Sequence, residues 1–325
     1  MPSPVFESYW RFAAERHRMY ERRLVGLPAP WTSDPVLSAY RFTNVFRAAD
    51  RVSQYLIRDV IYVGDQATDE VVLRILLFKL FNKIETWQLL LHEFGEISLS
   101  TFDVDTADHL LGDARARGKR IYSNAYIVPP IAGSDGVKHR GHLHLVASMI
   151  DDDLPRRIRD SDTMEEVYLL LRSYPGIGNF LAYQFTIDIN YSTVTNHDED
   201  EYVVPGPGAL DGISKVFPDA DLRDAAGIIR HMTDEQEKWL SHYGLMFGGL
   251  FGRRLHLIDV QNLFCEISKY ARVAHPEIEG VSGRTRIKQS FRPAGSVPPP
   301  CFPPKWRLDV PADVTEEPDL QLAFA

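Results

Sequence analysis

The groups in this chain that could do chemistry begin with main-chain donors. Ser173–Tyr191 reads S-Y-P-G-I-G-N-F-L-A-Y-Q-F-T-I-D-I-N-Y. A helical run ends at Pro-Gly-Ile-Gly and a second helix starts at once. Gly176 and Gly178 permit backbone angles closed to other residues, and Ala182, four residues on, lets the second helix pack closely on the turn. The N–H groups of Gly176, Ile177, Gly178 and Asn179 would then stand bare at a helix N-terminus. Orphan donors and the helix dipole point the same way there, so the turn is a ready anion site. This is the pattern of a helix-hairpin-helix, and the expected anion is a DNA backbone phosphate. A tight αα turn carrying no ligand is the plain alternative.

A second set lies on Tyr40–Ile61, which reads as one long helix with two stripes. Phe42, Val45, Ala49, Val52 and Leu56 recur at three-four spacing and should face the core. Asn44, Arg47, Arg51, Gln54 and Arg58 recur on another face, bordered by Asp50. That face holds Asn, Gln and three Arg without one Lys or Glu, which suits planar hydrogen-bonding recognition; a solvated face is the ordinary reading. A third set interrupts Thr68–His92, a helix apolar nearly all round and therefore central. Charged groups rarely enter a core unpaired, so some of Lys79, Asn82, Lys83, Glu85 and Thr86 should reach an edge, the sharper possibility being the edge of a cleft. His139, His142 and His144 lack a carboxylate or cysteine companion at metal spacing and read as satisfied or exposed rather than as a zinc site. No metal and no cofactor is expected.

The elements that must position these groups are helical. The 325 residues are 44% hydrophobic and 25% charged, ordinary for a globular protein. Strand signals are short and scattered, so the fold class is mostly α. Pro4–Leu24, Asp105–Arg117, His142–Met149, Thr233–Gly248 and Ile258–Ala274 read as further helices. The last carries a polar stripe of Asp259, Asn262, Glu266 and Lys269. Thr163 followed by Glu166 forms a capping-box start for the helix leading into the hairpin. Ser123–Lys138 is a loop, flexible around Gly133–Gly136. One helical domain is expected over 1–290, with the hairpin at 164–191, and a Pro-rich tail over 291–325.

Two cysteines are too few for a disulfide framework, and neither a membrane span nor a signal peptide is read. A reducing, cytoplasmic setting fits. The net charge of −9 argues against non-specific coating of nucleic acid. The charges are clustered, however: basic at Arg16–Arg23, Arg115–Arg120, Lys138–Arg140, Arg156–Arg159 and Arg284–Lys288, acidic at Asp151–Asp153, Asp198–Glu201 and Glu316–Asp319. A net-acidic protein can still hold a local basic groove.

A single hairpin in a helical domain, left through the Val-Val elbow at Tyr202–Ile213, resembles the helix-hairpin-helix DNA glycosylase superfamily. The catalytic aspartate of those enzymes is missing, because Pro205 falls roughly at its place. The lysine of lyase-type members is missing too, with Asn179 and Phe180 standing there. Five segments resemble a nearer family: R-F-T-N-V-F-R-A-A-D-R-V-S-Q-Y-L (Arg41–Leu56), L-F-K-L-F-N-K-I-E-T-W (Leu77–Trp87), P-G-I-G-N-F-L-A-Y-Q (Pro175–Gln184), V-P-G-P-G-A (Val204–Ala209) and D-V-Q-N-L-F-C-E-I-S-K-Y (Asp259–Tyr270). Together they are similar to the α-glutamyl/putrescinyl-thymine pyrophosphorylase family, also described as the helical domain associated with 5-hydroxymethyluracil DNA kinases.

That resemblance implies thymine hypermodification of bacteriophage-type DNA, in which an amino acid or polyamine displaces pyrophosphate from pyrophosphorylated 5-hydroxymethyluracil. The partners implied are DNA containing the modified pyrimidine and a small amine. No G-x-x-x-x-G-K-[ST] occurs here, so a kinase, where one is needed, is a separate protein. The chemistry requires base flipping, stabilisation of departing pyrophosphate by Arg47, Arg51 and Lys79, and a carboxylate to take the amine's proton. Asp50, Glu85 and Asp188 are the candidates, Asp188 favoured for its place after the hairpin. Asn44, Gln54, Asn82 and Gln184 could read the uracil edge or hold an amino acid. Structural roles stand beside each of these: a pairing of Asp50 with Arg47 or Arg51, a capping or bracing of the hairpin by Asp188, and a surface pair of Glu266 with Lys269. The other functions open are a glycosylase excising a modified pyrimidine, with Asp188 or Asp200 as its acid, and a non-catalytic DNA-binding module.

Overall fold

The computed structural model describes residues 1–124, 128–131, 135–292, 297–311 and 314. Gly133 and the acidic run Glu316–Asp319 lie outside the described residues. The fold is mostly α. Strand-type pairing among the described residues amounts to two isolated bridges, Tyr40 with Ser290 and Leu250 with Arg253. No described helix is long and apolar enough to cross a membrane. The chain forms two compact units, Met1–Asp50 with Val203–Ala325, and Arg51–Tyr202.

The first unit opens with α1 (Val5–Leu24), whose buried Phe6, Tyr9, Trp10 and Phe12 make it a core helix. The short α2 (Pro35–Ala39) is capped by Asp34, which accepts from Val36 and Leu37 N–H groups. The long helix expected over Tyr40–Ile61 does not form. Arg41–Phe46 is irregular, Arg47–Ala49 is one 3-10 turn, and Asp50 is extended. Side chains satisfy the backbone here in place of helical carbonyls. The Asn44 N–H donates to Asp50 Oδ1 at 2.7 Å, the Asn44 carboxamide to the Ala49 carbonyl at 2.6 Å, and the Arg47 N–H to Asp259 Oδ1 at 2.9 Å.

The second unit begins with α3 (Arg51–Leu56), which passes into a single π turn at Ile57–Ile61. Its centre is α4 (Thr68–Phe81), with every side chain from Val71 to Phe81 buried. The helix expected to continue to His92 stops at Asn82, which takes the left-handed conformation (φ 47°) that Asn tolerates. The chain restarts as α5 (Ile84–Phe94). Then follow α6 (Val104–Ala116), α7 (Lys138–Asp151) and α8 (Leu154–Arg159). The hairpin helices are α9 (Met164–Arg172) and α10 (Asn179–Asn190). Thr163 caps α9 by accepting from the Glu166 N–H, and the Glu166 carboxylate reaches back one residue further than a standard box, to the Asp162 N–H. Helices α7, α8 and α10 pack on α4.

The chain returns to the first unit with α11 (Pro207–Val216), which opens at the Pro-Gly elbow. The helix expected over Thr233–Gly248 is two: α12 (Ala225–Asp234) and α13 (Gln236–His242), with Gly244 at φ 63° past the end. The last, α14 (Leu257–Ala274), packs tightly on α11. Gly212 makes that approach possible, since a Cβ there would overlap the Phe264 carbonyl of α14. The described part of the Pro-rich tail packs on the unit: Phe302 is buried, and the Arg253 guanidinium lies 3.8 Å from the centre of the Trp306 ring.

Candidate active site

In the second unit the hairpin turn is exposed, but not every expected donor is bare: the Ile177 N–H donates to the Tyr174 carbonyl at 3.2 Å. Gly176 sits at φ 79° and Gly178 is the N-cap of α10, with no side chain capping the helix. Gly178 and Asn179 are exposed, whereas the Ile177 side chain is buried and anchors the turn from below. Arg172 holds the far side, donating to Asn179 Oδ1 at 2.6 Å and to the Ile177 carbonyl at 3.4 Å. One expectation is corrected: Gly178, at φ −79° and ψ 171°, has a backbone open to any residue, so only Gly176 is conformationally required.

Lys79 does not reach an edge. Its ammonium lies 2.7 Å from Asp188 Oδ2, with side-chain exposures of 4% and 0%. Pairing is what admits both charges to the core between α4 and α10. Asn82 and Gln184 are buried in the same two elements' vicinity, each about 3% exposed, and Asn82 Oδ1 accepts no hydrogen bond among the described residues. Glu85 is exposed and paired to Lys83 at 2.6 Å. That bond holds its carboxyl below the usual range, with Arg51 contributing. Arg51 is exposed and Gln54 half-buried on α3.

The histidines are structural members of this unit. His142 is fully buried, its Nε2 2.8 Å from the Pro129 carbonyl and its Nδ1 2.8 Å from the Tyr122 hydroxyl. Burial pushes it down to about 4. This pattern makes Nε2 the protonated nitrogen, with Tyr122 donating to Nδ1. His139 is buried and satisfied by Asp108, whose carboxylate lies 3.1 Å from its Nε2. His144 is exposed.

In the first unit the segment Arg41–Asp50 is held in a network of buried polar groups. Arg16 of α1 donates to Asn44 Oδ1 at 2.7 Å. Asn262 of α14 donates to Thr43 Oγ1 at 3.2 Å and to the Asn44 carbonyl at 3.1 Å. Glu266 accepts from the Thr43 N–H at 3.1 Å and pairs with Lys269 at 2.5 Å. The Glu266–Lys269 pair therefore exists, but it is not on the surface, because Glu266 is only 5% exposed. Nor is the α14 polar stripe solvated at Asp259, which is 4% exposed. Arg47, expected to face outward, is buried.

Burial sets the acid–base character of this network. Asp50, part-buried, has its carboxyl raised from 3.8 to about 6 by desolvation, against the Asn44 N–H and Arg16, with Glu266 adding to the rise. Asp259 is likewise raised to about 6 by burial, although it accepts N–H groups from Arg47 and His256. Burial lowers Arg16 to about 10. A carboxyl near 6 can change protonation close to neutral pH, which a proton acceptor needs. Arg16, Asp259, Asn262 and Glu266 were not read as site residues from sequence, yet a signal for the last three was present. They lie in Asp259–Tyr270, and the structure packs that segment on Arg41–Asp50, two of the five segments quoted for the resemblance.

The protein these units define is a helical one with a buried polar network and an exposed helix-hairpin turn. It belongs to the family described as the helical domain of 5-hmdU DNA kinase, which matches residues 3–280. A relative named 5-hmdU DNA kinase, from Bacillus phage SP10, is 30% identical over 288 residues, covering 82% of this chain and 45% of the relative. The chain thus spans a little under half the length of that relative. No solved structure matches.

Proposed function

We propose that this chain modifies 5-hydroxymethyluracil-type bases in DNA, as a transferase that replaces a pyrophosphate ester at the 5-methylene carbon with an amine. The amine nitrogen bonds to that carbon as the carbon–oxygen bond to pyrophosphate breaks, and the amine's proton passes to a carboxylate. The observation that carries the reading is the family match over residues 3–280, which contains both the hairpin and the Arg41–Asp50 network. A glycosylase-like helical fold, gripping a phosphate at Gly176–Asn179 while the target base is flipped out, accords with it.

Asp50 is the proton acceptor in this reading, in preference to Asp188. Burial raises its carboxyl to about 6, within reach of proton exchange near neutral pH, whereas Asp188 is held in an ion pair with Lys79. Lys79 and Asp188 act as a positioning pair behind α10.

The test is product analysis. Duplex DNA carrying pyrophosphorylated 5-hydroxymethyluracil is incubated with the protein and a pool of amino acids and polyamines, then digested to nucleosides. An aminated thymidine with equimolar pyrophosphate is expected. Release of a free base would instead make the protein a glycosylase, and unchanged DNA would overturn the transferase reading.

A further inference from the structure

We infer that the segment Val281–Arg292, just beyond the residues that match the family, is a preformed basic ribbon that binds nucleic-acid backbone phosphates. Arg284, Arg286 and Lys288 occupy alternate positions and are all exposed, while Ile287 between them is half-buried. The three cations stand at every second position from 284 to 288, within a run, 281–290, that is exposed throughout except at Ile287. Among the described residues no carboxylate pairs with any of the three cations, although the chain as a whole carries a net charge of −9. In the second unit, by comparison, Arg156 is neutralised by Asp153 and Asp160 and Arg157 by Asp152. An un-neutralised cationic row on an acidic protein is a local field suited to a polyanion.

The ribbon is fixed at both ends, so its charges are held in place before a ligand arrives. At its start the buried Asp211 accepts the Ser282 N–H at 2.7 Å, and Ser214 accepts the Val281 N–H at 3.2 Å. Midway, Arg272 donates to the Arg286 carbonyl at 3.2 Å. At its end the backbone pairs with α2 and the residues after it. The Arg41 N–H donates to the Gln289 carbonyl at 3.0 Å and the Phe291 N–H to the Ala39 carbonyl at 2.9 Å. A backbone tied at three points, with its cationic side chains in water, binds phosphates at less entropic cost than a mobile tail.

The ligand class rests on the proposed function, in which DNA is the partner, but the ribbon's contact is with phosphate and so is indifferent to the modified base. The experiment measures binding of a fluorescent 5-hydroxymethyluracil duplex, and of the same duplex with ordinary thymine, across 50–200 mM salt. The full chain is compared with Arg284→Ala/Arg286→Ala/Lys288→Ala. Three lost phosphate contacts should reduce the salt slope by about 2.7 and account for about a 40-fold share of the affinity lost over that range. The loss should be the same on both duplexes. The variant Arg284→Lys/Arg286→Lys should keep the slope. Unchanged slope and affinity in the triple-alanine variant, no DNA binding by the parent chain at 50 mM salt, or binding to anionic vesicles but not to DNA would each overturn the ribbon. A parent that aminates the base while the triple variant binds normally sinks the ribbon alone. A parent that binds both duplexes with the expected slope change but leaves a pyrophosphorylated 5-hydroxymethyluracil duplex unconverted in the presence of amines sinks the transferase reading alone.

Discussion

The Lys79 ammonium and the Asp188 carboxylate meet at 2.7 Å with almost no exposure to solvent. They join α4, the most buried helix of the second unit, to the second helix of the hairpin. Neither charge is tolerable there without a partner, and each supplies one to the other. Lys79→Met or Asp188→Asn alone should therefore cost about 3–5 kcal/mol, read as a lower urea midpoint with unchanged slope. The double variant Lys79→Met/Asp188→Leu should recover much of that loss. Additive losses in the double variant would show that the two groups do not depend on one another.

Asp50 carries the clearest pH signature. Its carboxyl is raised from 3.8 to about 6 in the folded protein, burial outweighing the Asn44 N–H and Arg16. A raised folded-state value means that stability from this group is fully present below about pH 4 and is lost as pH rises through about 6; Asp259 acts in the same direction. Asp50→Asn mimics the protonated form, so it should gain stability relative to the parent as pH goes from 4 to 7. Urea unfolding at each pH reads this directly, and parallel curves would show that the carboxyl is not raised. For the reaction the sign is opposite. A proton acceptor must be ionised, so the parent's rate should fall below about pH 6, and Asp50→Asn should lose about 100-fold or more at pH 7.5.

The α11–α14 contact should be intolerant of a single methyl group. A Cβ at Gly212 would overlap the Phe264 backbone carbonyl, and backbone cannot swing aside as a side chain can. Gly212→Ala should lower stability by about 1–3 kcal/mol as the helices are forced apart, seen as a drop in Tm. An unchanged Tm would mean that α11 can slide without loss.

Much of this was legible in the sequence, for a physical reason that differs from place to place. Helix α4 and the hairpin announce themselves because apolar coverage and Pro-Gly-Ile-Gly are local signals. The break at Asn82 and the collapse of the expected Tyr40–Ile61 helix were not legible. Both depend on partners distant in sequence or on a left-handed residue that periodicity does not register: Asp259 and Glu266 take the Arg47 and Thr43 N–H groups from over two hundred residues away. The same distance hid the buried network itself. Glu266 and Lys269, three apart on one helix, look like an exposed pair until Arg41–Asp50 is laid over them. Lys79 was misplaced for the complementary reason: its pairing with Asp188 is invisible to a reading of α4 alone.

The two hairpin glycines separate what folds the turn from what the turn would bind. Gly176 is at φ 79°, and a Cβ there would run into Ile131. Gly176→Ala should therefore destabilise the protein by about 1–2 kcal/mol from backbone strain alone, with DNA affinity falling alongside. Gly178 is at φ −79°, and a Cβ there would meet no heavy atom within 4 Å. Gly178→Ala should leave the melting curve within about 0.5 kcal/mol of the parent. Yet Gly178 is exposed at the N-terminus of α10, where an added methyl group would stand between the first-turn N–H groups and an approaching phosphate. Its DNA affinity should then drop about tenfold or more, the worth of one main-chain hydrogen bond to a charged oxygen. A Gly178→Ala protein that both folds and binds DNA like the parent would remove the phosphate from this turn and leave the hairpin a purely structural joint.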